Sequence, residues 1–453
     1  MRYILASLFL MVQLVVPHSV FAEGEAVNTL TEAMISGESA VLIDGTTGTV
    51  LFEKNPDLKL FPASITKIAT GIYAVEKGNP DDIVTVSRRA RWEEGTRVYL
   101  AEGEQVPLRK LEYGLLMNSG NDAATAIAEH LEGSNEAFAA KVTEYLKEKT
   151  GVTNTNFTNP HGLHDENHYT TAADMSKIAQ YAMRNPVFRE IVATKRLKWD
   201  GLEWQTVIVN HNKMLTNYEG ATGIKNGFTD QARHTLVVSA KRHGSEFIAV
   251  TMKAASSSYA YKDVTKMLDY AFAHFETRQV GQAGEEFVPT TASASQEKAV
   301  PTEASADPSG SDSGTGATAE PGTMSASNEQ ATGNSDSGIT SAAKPDKFYT
   351  GENLYVTAPH GELYHKAVTS DGKLQISFPS GLVREIQLQR KISPQTGRAL
   401  EGAMDSDSNS RLSSYGIVGI WLTLNLFMIL VFAAKLKKKR RAQQLQRRRA
   451  DWS

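Results

Sequence analysis

Between about residues 27 and 276 the apolar positions alternate in short runs and recur at three-and-four spacing in longer ones, the mixture expected of strands and helices sharing a core. Ala40-Val41-Leu42-Ile43-Asp44 and Thr49-Val50-Leu51-Phe52 flank Gly45-Thr46-Thr47-Gly48, which predicts a hairpin. A second hairpin is predicted where 235–240 and 247–252 flank Arg242-His243-Gly244-Ser245. Helical spacing covers 64–77 and 108–117. Strands at both ends with helices between them predict an α+β fold, an antiparallel sheet covered by helices.

The pattern then changes. From about 290 to 344 the chain is Ala, Ser, Thr, Gly, Pro and Glu with almost no large apolar residue, so no core offsets the entropy of ordering it. Alternation returns in Asn353-Leu354-Tyr355-Val356, in Leu374-Gln375-Ile376-Ser377-Phe378 and over 383–388, which predicts a small C-terminal β module. Residues 415–434 are uncharged and long enough to cross roughly 30 Å of hydrocarbon as one helix. Lys435, Lys437, Lys438, Lys439, Arg440 and Arg441 follow, and positive charge beside a span marks the cytoplasmic side. Arg2, the apolar run 4–16 and Val20-Phe21-Ala22 form a cleavable signal peptide pattern.

The expected organisation is therefore 1–22 signal peptide, 23–277 main domain, 278–346 disordered linker, 347–395 small β domain, 396–414 second linker, 415–434 transmembrane helix and 435–453 basic cytoplasmic tail. This topology places the main domain outside the cytoplasm, at a cell membrane. The tail is read as a topological signal rather than a nucleic-acid contact, so no nucleic-acid partner is expected. The net charge of -3 averages over this asymmetry and says little about partners. The absence of cysteine excludes thiol nucleophiles, zinc-thiolate sites and disulfides, leaving oxygen and nitrogen nucleophiles for any chemistry.

Ser64-Ile65-Thr66-Lys67 follows Pro62 at a predicted helix start. Residues three apart are neighbours on a helix, so the Lys67 amine can reach the Ser64 hydroxyl. The positive end of the helix dipole disfavours an ammonium there, which favours lysine as a base. The spacing alone is weak, since it recurs at Ser295-Lys298, Ser341-Lys344 and Ser370-Lys373, and a helix cap beside a solvated charge explains it as well. Ser119-Gly120-Asn121 lies between two predicted helices, where glycine lets both polar side chains turn to one cavity, although a plain connection has the same composition. Lys225-Asn226-Gly227-Phe228-Thr229 falls on a predicted strand leading into the second hairpin.

In this order, the three pieces match the Ser-x-x-Lys, Ser-x-Asn and Lys-Thr-Gly elements of penicillin-binding proteins and class A β-lactamases. The sequence resembles the D-alanyl-D-alanine carboxypeptidase family of low-molecular-weight penicillin-binding proteins. The resemblance runs through Phe61-Pro62-Ala63-Ser64-Ile65-Thr66-Lys67, Leu115-Leu116-Met117-Asn118-Ser119-Gly120-Asn121-Asp122-Ala123, Asn159-Pro160-His161-Gly162-Leu163, Asn210-His211-Asn212-Lys213-Met214-Leu215 and Gly223-Ile224-Lys225. It implies a β-lactamase/transpeptidase-like fold and a peptidoglycan stem peptide ending in D-Ala-D-Ala as substrate. It also implies β-lactams as covalent inhibitors and no cofactor or metal. Ser64 would be the nucleophile, Lys67 its base and Ser119 a proton relay to the leaving amine. Asn121, Lys225, Asn226, Gly227 and Phe228 would hold the substrate, the amides of Ser64 and Phe228 would form an oxyanion hole, and His161 would support the site. Two features depart from the family pattern. Asn226 replaces a threonine, with a longer and planar side chain, so reduced turnover or altered β-lactam affinity is expected. A full membrane span after a long linker replaces an interfacial helix, which suggests reach into the wall.

Three other readings compete. A metal hydrolase is suggested by His161, His164 and His168 with Asp165 and Glu166 among them, but Asp165 rather than glutamate follows His164, in a loop rather than on a zincin helix. A non-catalytic penicillin-binding or peptidoglycan-sensing protein is suggested by Asn226 and the cytoplasmic tail. A β-lactamase would need a dedicated water-activating base, and none is identifiable.

Overall fold

The computed structural model describes residues 29–290 and 347–391. In chain order the main domain runs through β1 (Ser39–Asp44), β2 (Val50–Lys54), α1 (Thr66–Lys77), β3 (Ile83–Thr85), α2 (Arg88–Arg91), β4 (Gln105–Pro107), α3 (Leu108–Met117), α4 (Asn121–Glu132) and α5 (Asn135–Thr150). It continues with α6 (Ala172–Arg184), α7 (Pro186–Ala193), β5 (Arg196–Asp200), β6 (Gln205–Val209), α8 (Met214–Asn217), β7 (Ala221–Thr229), β8 (Arg233–Arg242), β9 (Ser245–Ala254) and α9 (Ser257–His274).

Five strands form an antiparallel sheet in the order β2-β1-β9-β8-β7, which bears out the expected α+β class. The β8–β9 hairpin closes through His243 and Gly244, both at positive φ (47° and 86°), the geometry that matches the right-handed twist of the flanking strands. Period-two alternation sends Val41, Ile43, Val237, Ile248 and Val250 to one face of the sheet, against α1, α3, α6 and α7. It sends Ala40, Leu42, Leu236, Val238 and Ala249 to the other, against α9. Burial on both faces explains why these strands read as nearly continuous apolar runs. Each such buried aliphatic side chain contributes about 1.5–3 kcal/mol. The fifth strand, β7, is the end strand of this sheet and among the described residues pairs there only with β8.

The expected boundary at 278 is wrong. β10 (Phe275–Gly281) pairs antiparallel with β13 (Leu354–Pro359), and β11 (Glu286–Phe287) pairs with β12 (Lys347–Tyr349), which pairs in turn with β17 (Gln389–Lys391). A third sheet of β14 (His365–Val368), β15 (Lys373–Ser377) and β16 (Val383–Gln387) packs with these two over Val280, Phe287, Phe348, Val356, Leu374 and Ile376. Val280 and Phe287 therefore belong to the small β domain; the pairing that recruits them spans some seventy residues and leaves no local signature. Asp44 joins the domains. Its carboxylate accepts from the hydroxyls of Thr277 (2.9 Å) and Thr357 (2.8 Å) and from the amides of Thr46 and Thr47.

The signal peptide, residues 291–346, the end of the expected β domain at 392–395, the second linker, the transmembrane segment and the basic tail lie outside the described residues. Among the described residues no helix is long and apolar enough to cross a membrane.

Candidate active site

Ser64 sits in a 3₁₀ turn (Ala63–Ile65) that feeds directly into α1, so Lys67 lies one turn on, as the spacing predicts. The Lys67 Nζ is 3.1 Å from Ser64 Oγ. It donates to Asn121 Oδ1 at 2.6 Å and to the His161 carbonyl at 2.7 Å. Two carbonyl-type acceptors thus take two N–H groups, and the third direction faces the serine. A neutral amine in this position turns its lone pair on the Ser64 hydroxyl proton.

The electrostatics favour that neutral form. Burial pushes the Lys67 amine well below its ordinary value, and the nearby Lys225 charge pushes the same way, against Asp122 and Glu93. Lys225, also fully buried, is lowered to about 7 by desolvation. Its Nζ donates to the Asn226 carbonyl at 3.0 Å.

The backbone around Ser64 is held under strain. Ala63 has φ 50°, a left-handed conformation that costs a non-glycine residue about 1–2 kcal/mol. Neighbouring hydroxyls hold it: Thr66 Oγ1 donates to the Ala63 carbonyl (2.9 Å) and Thr235 Oγ1 to the Pro62 carbonyl (2.9 Å). The His168 Nδ1 accepts from the Thr158 amide at 3.0 Å, so in the neutral ring Nε2 carries the proton and faces Thr66 Oγ1 at 2.8 Å. Gly162 presses on the same turn; a Cβ there would lie 1.9 Å from the Ala63 oxygen. On the other side, a Cβ at Gly227 would lie 2.7 Å from the Ser64 nitrogen. The Ser64 amide and the start of Phe228 therefore share one small space.

Ser119, 5 % exposed, lies between α3 and α4 with φ 63°. Asn121 opens α4; its Nδ2 donates to the Glu94 carbonyl at 2.5 Å and its amide to the Thr96 carbonyl at 2.7 Å. Along β7, Lys225 and Gly227 share one face and Asn226 and Phe228 the other. Asn226 and Phe228 line a cleft of about 590 Å³ with Asn210, His211 and Tyr261. Among the described residues the buried Asn226 Oδ1 has no hydrogen-bond partner.

The structure thus joins Ser64, Lys67, Asn121 and His161 in one set of contacts, sets Gly227 against Ser64, and gives Asn226 and Phe228 to the cleft. The histidines of the metal reading do not converge: His161 faces Glu93, His164 packs edge-on against Phe61, and His168 is bonded to Thr158 and Thr66. Among the described residues no group of three or more His, Asp or Glu is placed to hold a metal ion.

Four residues near the site carried no role in the sequence reading. Glu93 accepts from Thr125 Oγ1 at 2.7 Å and lies 3.6 Å from His161 Nε2; burial would raise its carboxyl, but these contacts outweigh it and hold the group at about 2. Asp122 is buried and accepts from the amides of Val98, Leu100 and Ala123; burial raises it despite them. His211 is lowered to about 4, by burial first and then by Lys225 and Lys67. Thr235 is the fourth. Asp122 and His211 stood in quoted motifs without a role, and none of the four has a sequence spacing that signals its task.

Comparison with known proteins decides the lineage. The model of the D-alanyl-D-alanine carboxypeptidase family matches residues 26–256. The chain belongs to this family. It is 37 % identical over 268 residues to the D-alanyl-D-alanine carboxypeptidase DacF of Bacillus subtilis, covering 57 % of this chain and 68 % of the relative. It is 32 % identical to DacA of Haemophilus influenzae, covering 57 % and 67 %. Among solved structures, the Streptomyces K15 DD-transpeptidase superposes with a TM-score of 0.51 at 29 % identity, covering 54 % of this chain and all of that one. Penicillin-binding protein 5 of Haemophilus influenzae, at 24 % identity, shares the fold with a TM-score of 0.61 over 80 % of this chain and 98 % of its own. The likeness in fold to that structure therefore extends beyond residues 26–256.

Proposed function

We propose that the chain is a serine-type D-Ala-D-Ala carboxypeptidase that removes the terminal D-alanine from peptidoglycan stem peptides through an acyl-enzyme and is inhibited covalently by β-lactams. The observation that carries this reading is the Lys67 amine, buried, 3.1 Å from Ser64 Oγ and held by two acceptors that leave its remaining direction for the serine. Ser64 Oγ attacks the carbonyl between the two D-alanines while its proton passes to Lys67 Nζ. The amides of Ser64 and Phe228 stabilise the oxyanion, each such donor being worth roughly 2.7–4 kcal/mol. Ser119 relays a proton to the leaving amine, Asn121 and Lys225 hold the substrate and the local field, and Asn226, Gly227 and Phe228 bound its carboxyl-terminal end. Water then releases the shortened peptide. No cofactor enters.

The place of work is the outer face of a bacterial cell membrane, with 415–434 as a single span and the basic tail in the cytoplasm; the apolar run and the flanking lysines and arginines support this. A catalytically weak penicillin-binding or sensing role is the second reading, favoured by the unpartnered Asn226 Oδ1. The test is release of free D-alanine from a pentapeptide ending in D-Ala-D-Ala, with Ser64→Ala alongside. Release that vanishes in the variant is expected; no release from folded wild-type protein selects the second reading.

A further inference from the structure

Lys67 is oriented from behind by contacts that lead back to Glu93 and Glu94. Its two acceptors are Asn121 Oδ1 and the His161 carbonyl. Asn121 can offer its oxygen to Lys67 only while its Nδ2 is turned away, and Nδ2 is held by the Glu94 carbonyl at 2.5 Å. His161 accepts from the Leu163 amide at Nδ1 (3.2 Å), so its neutral ring carries the proton on Nε2, which faces the Glu93 carboxylate at 3.6 Å. Glu93 is itself tied down. One of its oxygens accepts from Thr125 Oγ1 (2.7 Å) and Asn135 Nδ2 (3.4 Å), and Asn135 also donates to Thr125 Oγ1 (3.1 Å). The turn after α2 is thereby anchored to α4 and α5 and reaches both groups that grip the lysine.

We propose that Glu93 is a positioning residue for the reaction: through His161, and through the Glu94 carbonyl beside it, its anchored carboxylate fixes the direction of the Lys67 amine and sets the charge against which that amine is deprotonated. The proposal rests on the reading of Lys67 as the base for Ser64. It also explains why a carboxylate is kept beside a site whose function requires a neutral lysine. Lys225 from β7 opposes protonation of Lys67, with His211 ahead of α8 and His168 neutral beside them. Asp122 from α4 and Glu93 from the turn favour protonation, while His161 stays neutral. Glu93 thus keeps Lys67 from becoming too feeble a base, since proton transfer is most efficient when the base titrates near the working pH.

In Glu93→Gln the amide oxygen can take the same three contacts while the charge is lost. With a negative charge removed, Lys67 deprotonates more easily, so the acid limb of Ser64 acylation moves to lower pH. The experiment is the rate of covalent labelling by a fluorescent penicillin as a function of pH, on the full chain. Glu93→Gln is expected to move the acid limb down by about half a unit or more and to lower the plateau rate. Thr125→Val, which keeps the charge and removes one anchor, should leave the limb in place. Glu93→Asp, which keeps the charge one methylene back, should leave the limb in place and lower kcat for D-alanine release by about tenfold at unchanged KM, as expected of a misdirected base. A Glu93→Gln limb that superimposes on wild type, an equal displacement in Thr125→Val, or a Glu93→Asp defect confined to KM overturns the proposal. Labelling that survives Ser64→Ala would instead sink the serine reading itself, so the two failures are told apart.

Discussion

Gly162→Ala is the perturbation whose size the structure defines most closely. Gly162 has φ 87°, which an alanine adopts at a cost of about 1–2 kcal/mol. The added Cβ would also stand 1.9 Å from the Ala63 oxygen and 2.9 Å from Thr66 Oγ1. Ordinary contact requires well over 3 Å, so the 159–164 loop must retreat by more than about 1 Å or push the Ser64 turn away, an overpacking cost of about 1–3 kcal/mol. Together these lower the free energy of unfolding by about 2–5 kcal/mol. The retreat also draws the His161 carbonyl from Lys67, where 2.7 Å separates them now. Misplacement of about 1 Å is enough for a loss on the order of a hundredfold in rate. Gly133→Ala is the control: Gly133 has φ 81° at the end of α4, but a Cβ there meets nothing within 4 Å, so only the backbone cost applies. The assay is thermal unfolding together with the rate of labelling by a fluorescent penicillin. If Gly162→Ala melts with Gly133→Ala and labels within about threefold of wild type, the close packing of this loop on the serine turn is not what holds the lysine, and the reasoning fails.

Two further outcomes are expected. Asn226→Thr should raise D-alanine release and, by removing a buried unpartnered oxygen, raise unfolding free energy by about 1 kcal/mol; unchanged turnover would show that the asparagine is not limiting. His168→Gln should flatten the pH dependence of stability. His168 is lowered from 6.5 to about 3, by burial first, with the nearby His161, Lys67 and His164 opposing a further positive charge, so its contribution is complete above 6.5 and is lost as pH falls toward 3. At pH 5 the wild type has lost about 2 kcal/mol through this ring, with His211, lowered to about 4, adding to the slope. Denaturant unfolding at pH 7 and pH 5 measures it, and equal slopes in wild type and variant would contradict the assignment.

Much of the fold was legible because its elements announce themselves locally. The β8–β9 hairpin is marked by His243-Gly244 between alternating runs, and α3 occupies the 108–117 span that its apolar spacing indicated. Ser64 and Lys67 were legible because one helical turn relates them. What stayed hidden is what distance along the chain conceals. Glu93 meets His161 from 68 residues away and carries no motif. The Asn226 side chain was expected to hold substrate, but its orphaned oxygen depends on how β7 sits beside β8, which no single-residue property reveals. The strands 275–281 and 286–287 looked like the approach to a linker because each is short and its partners lie beyond residue 346.

The pairing of β11 with β12 changes the meaning of the intervening stretch. Phe287 faces Phe348, and the Thr290 amide bonds to the Val368 carbonyl, so residues 291–346 depart from and return to one domain. Such a stretch is an excursion with a closed base, and its length adds nothing to how far the catalytic domain stands from whatever follows residue 391. Only residues 392–414 remain to span the gap to the apolar segment, at most about 80 Å when fully drawn out. Counted as a spacer, 278–346 would have added more than about 200 Å. With 415–434 as the proposed anchor, the enzyme would work close to the membrane, and cleavage within 291–346 would leave two pieces still clasped through the paired strands on either side of the cut.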